Sequence, residues 1–142
     1  MTPTSTRSSL AWAAVAVVTA VTAAWFGWLV WDVEVEVVEG LETWQLESWR
    51  VSGVGTSLVA ILVVAQLALR RHPDPSAVAV VTSRSLTWTF CLWMYAYLAR
   101  QDDSGLFLMG LTLIYAATAV GCIVVSHALA RITRRPIYRL PI

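Results

Sequence analysis

The chain has 142 residues, of which 58% are hydrophobic and only 13% charged, and its formal net charge is +1. Soluble domains carry about a quarter charged residues, so this composition excludes an ordinary soluble globular protein and favours the lipid bilayer as solvent. The near-neutral net charge gives no electrostatic basis for a nucleic-acid partner.

Four apolar runs follow one another along the chain, at residues 10–31, 51–69, 77–99 and 105–130. Each is close to the roughly 20 residues that a helix needs to cross a bilayer. The first run is longer than the apolar segment of a signal peptide, about 7–15 residues, so we expect it to remain as a helix. The sequence therefore predicts an all-α integral membrane protein, a single domain of four transmembrane helices.

All ten basic residues are arginines, and they are unevenly distributed between the two sides of the predicted spans. Only Arg50 and Arg100 fall on one side, whereas eight arginines fall on or near the other. Because arginine is retained in the cytoplasm, this asymmetry predicts that both termini and the turn at 70–76 are cytoplasmic. We expect a multi-pass protein of a bacterial cytoplasmic (inner) membrane.

Local signals support these boundaries. Asp74 followed by Pro75 is typical of an N-cap and first helical turn, and it predicts the start of the third helix. Cys91 and Cys122 lie in the third and fourth runs, at depths that differ by about 10 Å. Because this separation exceeds the reach of a disulfide, we expect two free, buried thiols. Several tryptophans are predicted to mark the outer interface: Trp25, Trp28, Trp31, Trp44 and Trp49.

Small residues recur along the first helix in steps of three and four, which places them on one face: Ala13, Ala16, Ala20, Ala23 and Gly27. Such faces let two helix backbones approach closely in a membrane. One interpretation is a dedicated interface with a partner protein, and the other is packing within the four-helix unit. The second helix has a shorter motif of this kind, Gly53-x-x-x-Ser57, and the fourth has Ala117-x-x-x-Gly121.

Arg84 interrupts the third apolar run about seven residues from its cytoplasmic end. Gln66 and His127 are expected at a similar depth in the second and fourth helices, so the three predict a polar cluster in the inner leaflet. The cluster is interpreted either as structural hydrogen bonding between helices or as a proton, anion or lipid-headgroup site. A third alternative is that Arg84 extends alone to the cytoplasmic interface. Bound lipid is a candidate ligand, and no cofactor is expected.

The segment between the first two helices carries six acids and one arginine over residues 32–50. Its first part alternates acidic and apolar residues and predicts an extended segment, and residues 41–49 then suit a short helix lying on the membrane. The segment is either a solvated acidic loop or a docking surface for a basic extracytoplasmic domain. A weak divalent-cation site is a further alternative. The acids proposed for docking are Asp32, Glu34, Glu36 and Glu39.

No Asp or Glu lies within any apolar run, and the sequence has no nucleophile–base set, phosphate loop or metal-ligand spacing. We therefore expect no catalytic, metal-binding or cofactor-binding residue and no enzyme activity of the chain itself. The leading hypothesis is a non-catalytic accessory subunit of a larger bacterial membrane complex, such as an energy-converting or oxidising enzyme. Its partners would be larger integral membrane subunits. The alternatives are a small homo-oligomeric channel or transporter, and a lipid- or ligand-binding enzyme or sensor that uses the level of Arg84.

Overall fold

A computed structural model describes residues 3–29, 36–38, 41–43, 48–99 and 107–133 of the chain. It contains four helices, α1 (Pro3–Leu29), α2 (Ser48–Ala68), α3 (Pro75–Leu98) and α4 (Phe107–Ile132). Two three-residue strands, β1 (Glu36–Val38) and β2 (Leu41–Thr43), lie between α1 and α2. The predicted all-α class and the four helices are confirmed, with this small hairpin as an addition.

Three of the helices are long and apolar enough to cross a membrane, over Ser8–Leu29, Trp49–Ala68 and Leu108–Ile132. Their mean hydropathies are 1.8, 2.0 and 2.2. Helix α3 has 24 residues, which is about 36 Å of helix at 1.5 Å per residue. It is less apolar than the other three because it contains Arg84 and a series of serine and threonine residues.

The packing order of the helices differs from their order along the chain. Helix α3 packs against all three others, whereas α1 and α4 flank the bundle on opposite sides, with no Cα atoms within 8 Å of each other over their described residues. Contacts between corresponding ends show that α1 runs parallel to α3 and that α2 runs parallel to α4. The short turn at 69–74 joins α2 to α3, and this side of the bundle is called the turn end below.

Aromatic side chains fill the interface between α1 and α3 at the opposite end. Trp25 is only 5% exposed, and its ring lies 6.1 Å from that of Phe90 and 6.0 Å from that of Tyr97. Trp93 stacks on Trp25 at 6.4 Å and donates a 3.1 Å hydrogen bond from its indole nitrogen to Thr22 Oγ1. Trp25 was predicted to mark the outer interface, and the structure adds that its indole is buried against α3.

Nearer the turn end, a second core joins all four helices. It consists of buried apolar residues: Val17, Val21, Leu62, Leu86 and Cys122. Buried hydroxyls accompany it, with Thr82 at 0% and Thr87 at 4% exposure. Large apolar side chains such as Leu113 (71%) and Val124 (60%) lie on the outside instead. Polar groups inside and apolar groups outside are the arrangement expected where lipid replaces water as the solvent.

The start of α3 is as predicted. The Asp74 carboxylate accepts hydrogen bonds from the backbone N–H groups of Ser76 (3.0 Å) and Ala77 (3.1 Å) and from the Ser76 hydroxyl (2.6 Å). Proline at the first helical position completes the N-terminus. The hydroxyl of Ser76, followed by the Ala77 N–H, lowers the pKa of Asp74 from its ordinary value of 3.8, because both hydrogen bonds favour the ionised carboxylate.

The two strands form an antiparallel hairpin in which Glu36 pairs with Thr43 and Val38 with Leu41. An extended segment was predicted up to residue 37, and β1 begins within it. The predicted membrane-surface helix over residues 41–49 is wrong for its first three residues, which form β2. Strand pairing replaces the predicted helix because so short a helix has little stability of its own. The β-branched residues of the two strands favour an extended backbone instead.

Candidate functional site

The most polar part of the interior lies where α2, α3 and α4 meet, near the turn end. The Gln66 amide nitrogen donates to Ser126 Oγ at 2.7 Å and to Thr82 Oγ1 at 3.4 Å. Thr82 uses its own hydroxyl hydrogen on the carbonyl oxygen of Val78, at 2.8 Å, and is therefore available as an acceptor. We call the three residues Gln66, Thr82 and Ser126 the polar crossing, because they tie three helices together.

The polar crossing overlaps the predicted inner-leaflet cluster only in part. Gln66 is half-buried at the centre of the crossing, whereas Arg84 and His127 are exposed on the outer surfaces of α3 and α4. His127 donates from Nδ1 to the carbonyl oxygen of Ile123 at 2.9 Å. The three predicted residues thus separate into one interior hydrogen-bonding residue and two residues on a lateral surface.

Arg84 and His127 line a common groove of about 230 Å³ between α3 and α4. Trp88 and Tyr115 also line it, with their rings 5.9 Å apart in an edge-to-face arrangement. The depth argument that grouped Arg84 with His127 is consistent with this shared groove. Depth alone could not show that Arg84 and His127 are exposed while Gln66 is half-buried, because depth carries no information about helix rotation.

A second groove, the α2–α4 cleft, opens on the side of the polar crossing away from the turn end. It has a volume of about 440 Å³. Leu86 and Phe90 of α3 contribute to its lining, together with small residues of the two flanking helices: Gly55, Ala117 and Gly121. The Ala117-x-x-x-Gly121 motif therefore faces an open cleft rather than a packed neighbour.

A third cavity, the turn-end cavity, lies on the other side of the polar crossing. It has a volume of about 480 Å³ between the ends of α2 and α4 and the first turns of α3. Gln66 and Ser126 contribute polar groups to it, and Arg70 and Arg71 line it as exposed residues of the turn. In the sequence these arginines indicate only the orientation of the chain, because a cavity between helices is not visible there.

The small-residue face of α1 lies largely outside the packed interior. Ala16, Ala23 and Gly27 are exposed, and Ala13 and Ala20 are half-buried. The buried face of α1 consists instead of large side chains: Val17, Val21, Trp25 and Leu29. The predicted seam therefore adjoins the α1–α3 and α1–α2 interfaces without forming their centre.

The Gly53-x-x-x-Ser57 motif of α2 is used within the chain. A Cβ atom at Gly53 would lie 2.8–2.9 Å from three carbons of the Trp28 ring. The Trp28 indole nitrogen donates to Ser57 Oγ at 3.0 Å. One small motif thus receives a tryptophan of α1, with glycine providing the space and serine the hydrogen-bond acceptor.

Of the predicted docking acids, Glu36 lies in β1, and Asp32, Glu34 and Glu39 lie outside the described residues. Cys91 and Cys122 are buried, free thiols, as predicted. Within the described part of the chain, no three His, Cys, Asp or Glu residues come together as they would to hold a metal ion.

The chain matches no protein-family model, and it has no significant match among curated proteins or solved structures.

Proposed function

We propose that all four helices cross a bacterial cytoplasmic membrane, with both termini and the turn at 69–74 in the cytoplasm. Two observations support a crossing by α3, the least apolar helix. It packs along three apolar helices that are each long enough to span, and three of its hydroxyl residues, Thr82, Thr87 and Thr89, are buried. The arginine distribution supports the orientation.

Reporter fusions test this orientation. Fusions at Arg71 and at the C-terminus should both report the cytoplasm, and a tag beside Glu39 should be labelled from outside. A cytoplasmic signal from the Glu39 tag would exclude the four-span arrangement. Two reversed end reporters would instead overturn the argument from arginine.

We further propose that the chain is a non-catalytic accessory subunit of a larger membrane complex, as the sequence suggested. The observation that carries this proposal is the exposure of the small-residue face of α1, at Ala16, Ala23 and Gly27. In a bilayer, a face of small side chains allows another helix backbone to approach closely and pack against it. The chain's own helices pack on the adjacent face of α1. A helix from another subunit would therefore be the one that packs against the small-residue face.

The glycines support the same proposal. A Cβ atom at Gly53 would collide with Trp28, so this glycine has a role inside the chain. At Gly27, Gly55, Gly110 and Gly121 a Cβ atom would meet nothing within 4 Å. Glycine within a helix is less favourable than alanine by about 1 kcal/mol. Contacts with another molecule would account for four glycines that the packing of this chain does not require.

The partner would be a larger integral membrane subunit that packs on α1 or α4. The acidic segment at 32–50 would face a basic extracytoplasmic domain of the same complex, because its net charge of −5 favours a surface of opposite sign. An energy-converting or oxidising enzyme remains the proposed kind of complex. A homo-oligomeric channel is the second candidate function. It ranks below the accessory role because Thr82 and Thr89, the hydroxyl residues suited to line a pore, are buried inside the chain.

Purification from the native source followed by mass spectrometry tests the accessory role. We expect other chains in fixed stoichiometry, and we expect Ala16→Leu combined with Ala23→Leu to remove them, since overpacking costs about 1–3 kcal/mol per site. Val15→Leu with Val18→Leu is the matched control, because these residues are also exposed on α1, at 55% and 41%.

Three results would contradict the proposal. Equal partner binding by both double variants would mean that the small-residue face contacts lipid alone. Purification solely with copies of itself would favour the homo-oligomeric channel. Solute flux or substrate turnover by the reconstituted chain on its own would exclude an accessory role.

A further inference from the structure

The turn-end cavity combines three kinds of surface. The exposed side chains of Arg70 and Arg71 border it on the solvent side, and Gln66 and Ser126 lie where it meets the polar crossing. Its remaining walls are mostly apolar, with Leu129 among them. Cationic, hydrogen-bonding and apolar surfaces thus meet in one cavity, and these are the three kinds of surface that the headgroup region of a membrane phospholipid contacts.

The charge around the cavity is not neutralised locally. Asp74 is the one acidic residue in the described stretches 48–99 and 107–133, and it does not line the cavity. Its carboxylate accepts hydrogen bonds from Ser76 and Ala77. The two arginines thus leave a net positive charge at the cavity mouth.

Guanidinium groups suit a phosphate because their N–H donors match its oxygens in a two-point arrangement. The volume of about 480 Å³ lies in the range of small-molecule sites, about 300–1,000 Å³. It is large enough for a phosphate and the glycerol group attached to it. Ser126 is 5% exposed, so the polar end of the cavity is a preformed part of the packed interior.

We infer that the turn-end cavity binds a phosphate-bearing headgroup, with the phosphate at Arg70 and Arg71 and the glycerol region towards Gln66 and Ser126. The source we favour is an anionic phospholipid of the adjacent leaflet, because the apolar walls would accommodate the start of its acyl chains. A free phosphate ion shares the same charge chemistry but would leave those walls uncovered. This inference is independent of the accessory role.

The test uses the full chain in detergent, with phosphatidylglycerol, phosphatidylcholine or inorganic phosphate added in turn. Native mass spectrometry should retain one phosphatidylglycerol per chain in preference to phosphatidylcholine. Arg70→Gln and Arg71→Gln should each weaken this binding by about ten-fold or more, because hydrogen bonds to charged groups contribute about that factor. Ala130→Leu, which fills the cavity without removing a charge, should also weaken it.

Arg131→Gln is the matched control. Arg131 is exposed in the last turn of α4, near the same end of the bundle, but it does not line the cavity. We expect its replacement to change binding by less than about two-fold. An effect as large as that of Arg71→Gln would mean that general surface charge attracts the lipid, and it would overturn the proposed site.

Inorganic phosphate distinguishes the two sources. If millimolar phosphate displaces nothing and phosphatidylglycerol stays bound, the ligand is the lipid. If phosphate binds with the same dependence on Arg70 and Arg71 while the lipid does not, the site belongs to a free phosphate group. Binding of neither probe, or binding unaffected by Arg70→Gln, Arg71→Gln and Ala130→Leu alike, would overturn the inference.

Discussion

The contact between Gly53 and Trp28 makes a quantitative prediction about the α1–α2 interface. In Gly53→Ala the new Cβ atom would lie 2.8–2.9 Å from three carbons of the indole ring, so the ring must move. Its movement would strain the 3.0 Å hydrogen bond to Ser57 and the edge-to-face contact with Trp49, whose ring lies 5.9 Å away. Gly55→Ala is the control, because a Cβ atom there meets nothing within 4 Å.

Both substitutions improve helix propensity equally, by about 1 kcal/mol, so the difference between the two variants isolates the collision. Overpacking costs about 1–3 kcal/mol, and a hydrogen bond between membrane helices contributes about 0.6 kcal/mol. We therefore expect the free energy of unfolding of Gly53→Ala to be roughly 1.5–3.5 kcal/mol below that of Gly55→Ala.

Unfolding by sodium dodecyl sulfate in mixed micelles, followed by circular dichroism, measures this difference. Tryptophan fluorescence in the same titration reports the surroundings of the indoles. Unfolding of Gly53→Ala and Gly55→Ala at the same detergent fraction would refute the packing of Trp28 between Gly53 and Ser57. A Gly55→Ala variant that is as stable as the native chain but fails to copurify with partners would place Gly55 at an intermolecular contact.

Three further predictions concern other parts of the bundle. Gln66→Leu removes two interhelical hydrogen bonds and should lower the unfolding free energy by about 1 kcal/mol, which the same detergent titration measures; an unchanged midpoint would contradict the polar crossing. Asp74→Ala should cost about 1 kcal/mol as the loss of an N-cap. Because hydrogen bonding, first from Ser76, lowers the pKa of Asp74 below 3.8, this stabilisation is complete above that pH and is lost as pH falls through the lowered pKa. The difference between native and Asp74→Ala stability should therefore narrow as pH falls through that range, and a difference that does not change with pH would contradict capping by the ionised carboxylate. Cys91 and Cys122, at 6% and 5% exposure, should react with a thiol reagent only on unfolding; rapid labelling of either in the folded protein would place it outside the core.

Features set by local chemistry could be predicted from the sequence. Helices α2, α3 and α4 begin and end close to the predicted runs, since bilayer thickness sets the length of an apolar segment, whereas α1 begins at Pro3, ahead of the predicted run at 10–31. The start of α3 followed from Asp74 and Pro75, because an N-cap is an interaction between near neighbours in the chain. The free state of the two cysteines followed from their separation in depth. The sequence did not predict the hairpin. Its segment is too short for hydrophobic periodicity to distinguish paired strands from a helix.

Only the tertiary structure decided which face of each helix meets which neighbour. Gly53 and Ser57 pack against Trp28 inside the chain, whereas the longer alanine seam of α1 is largely exposed, and the two patterns look alike in the sequence. Gln66 similarly joins Ser126 and Thr82 instead of Arg84. In a bilayer the lipid and the protein interior are equally apolar, so an apolar pattern specifies the length of a helix and leaves its rotation open. The rotation of each helix is set by side-chain shape and by hydrogen bonds between residues distant in the chain, which exist only once the helices have packed.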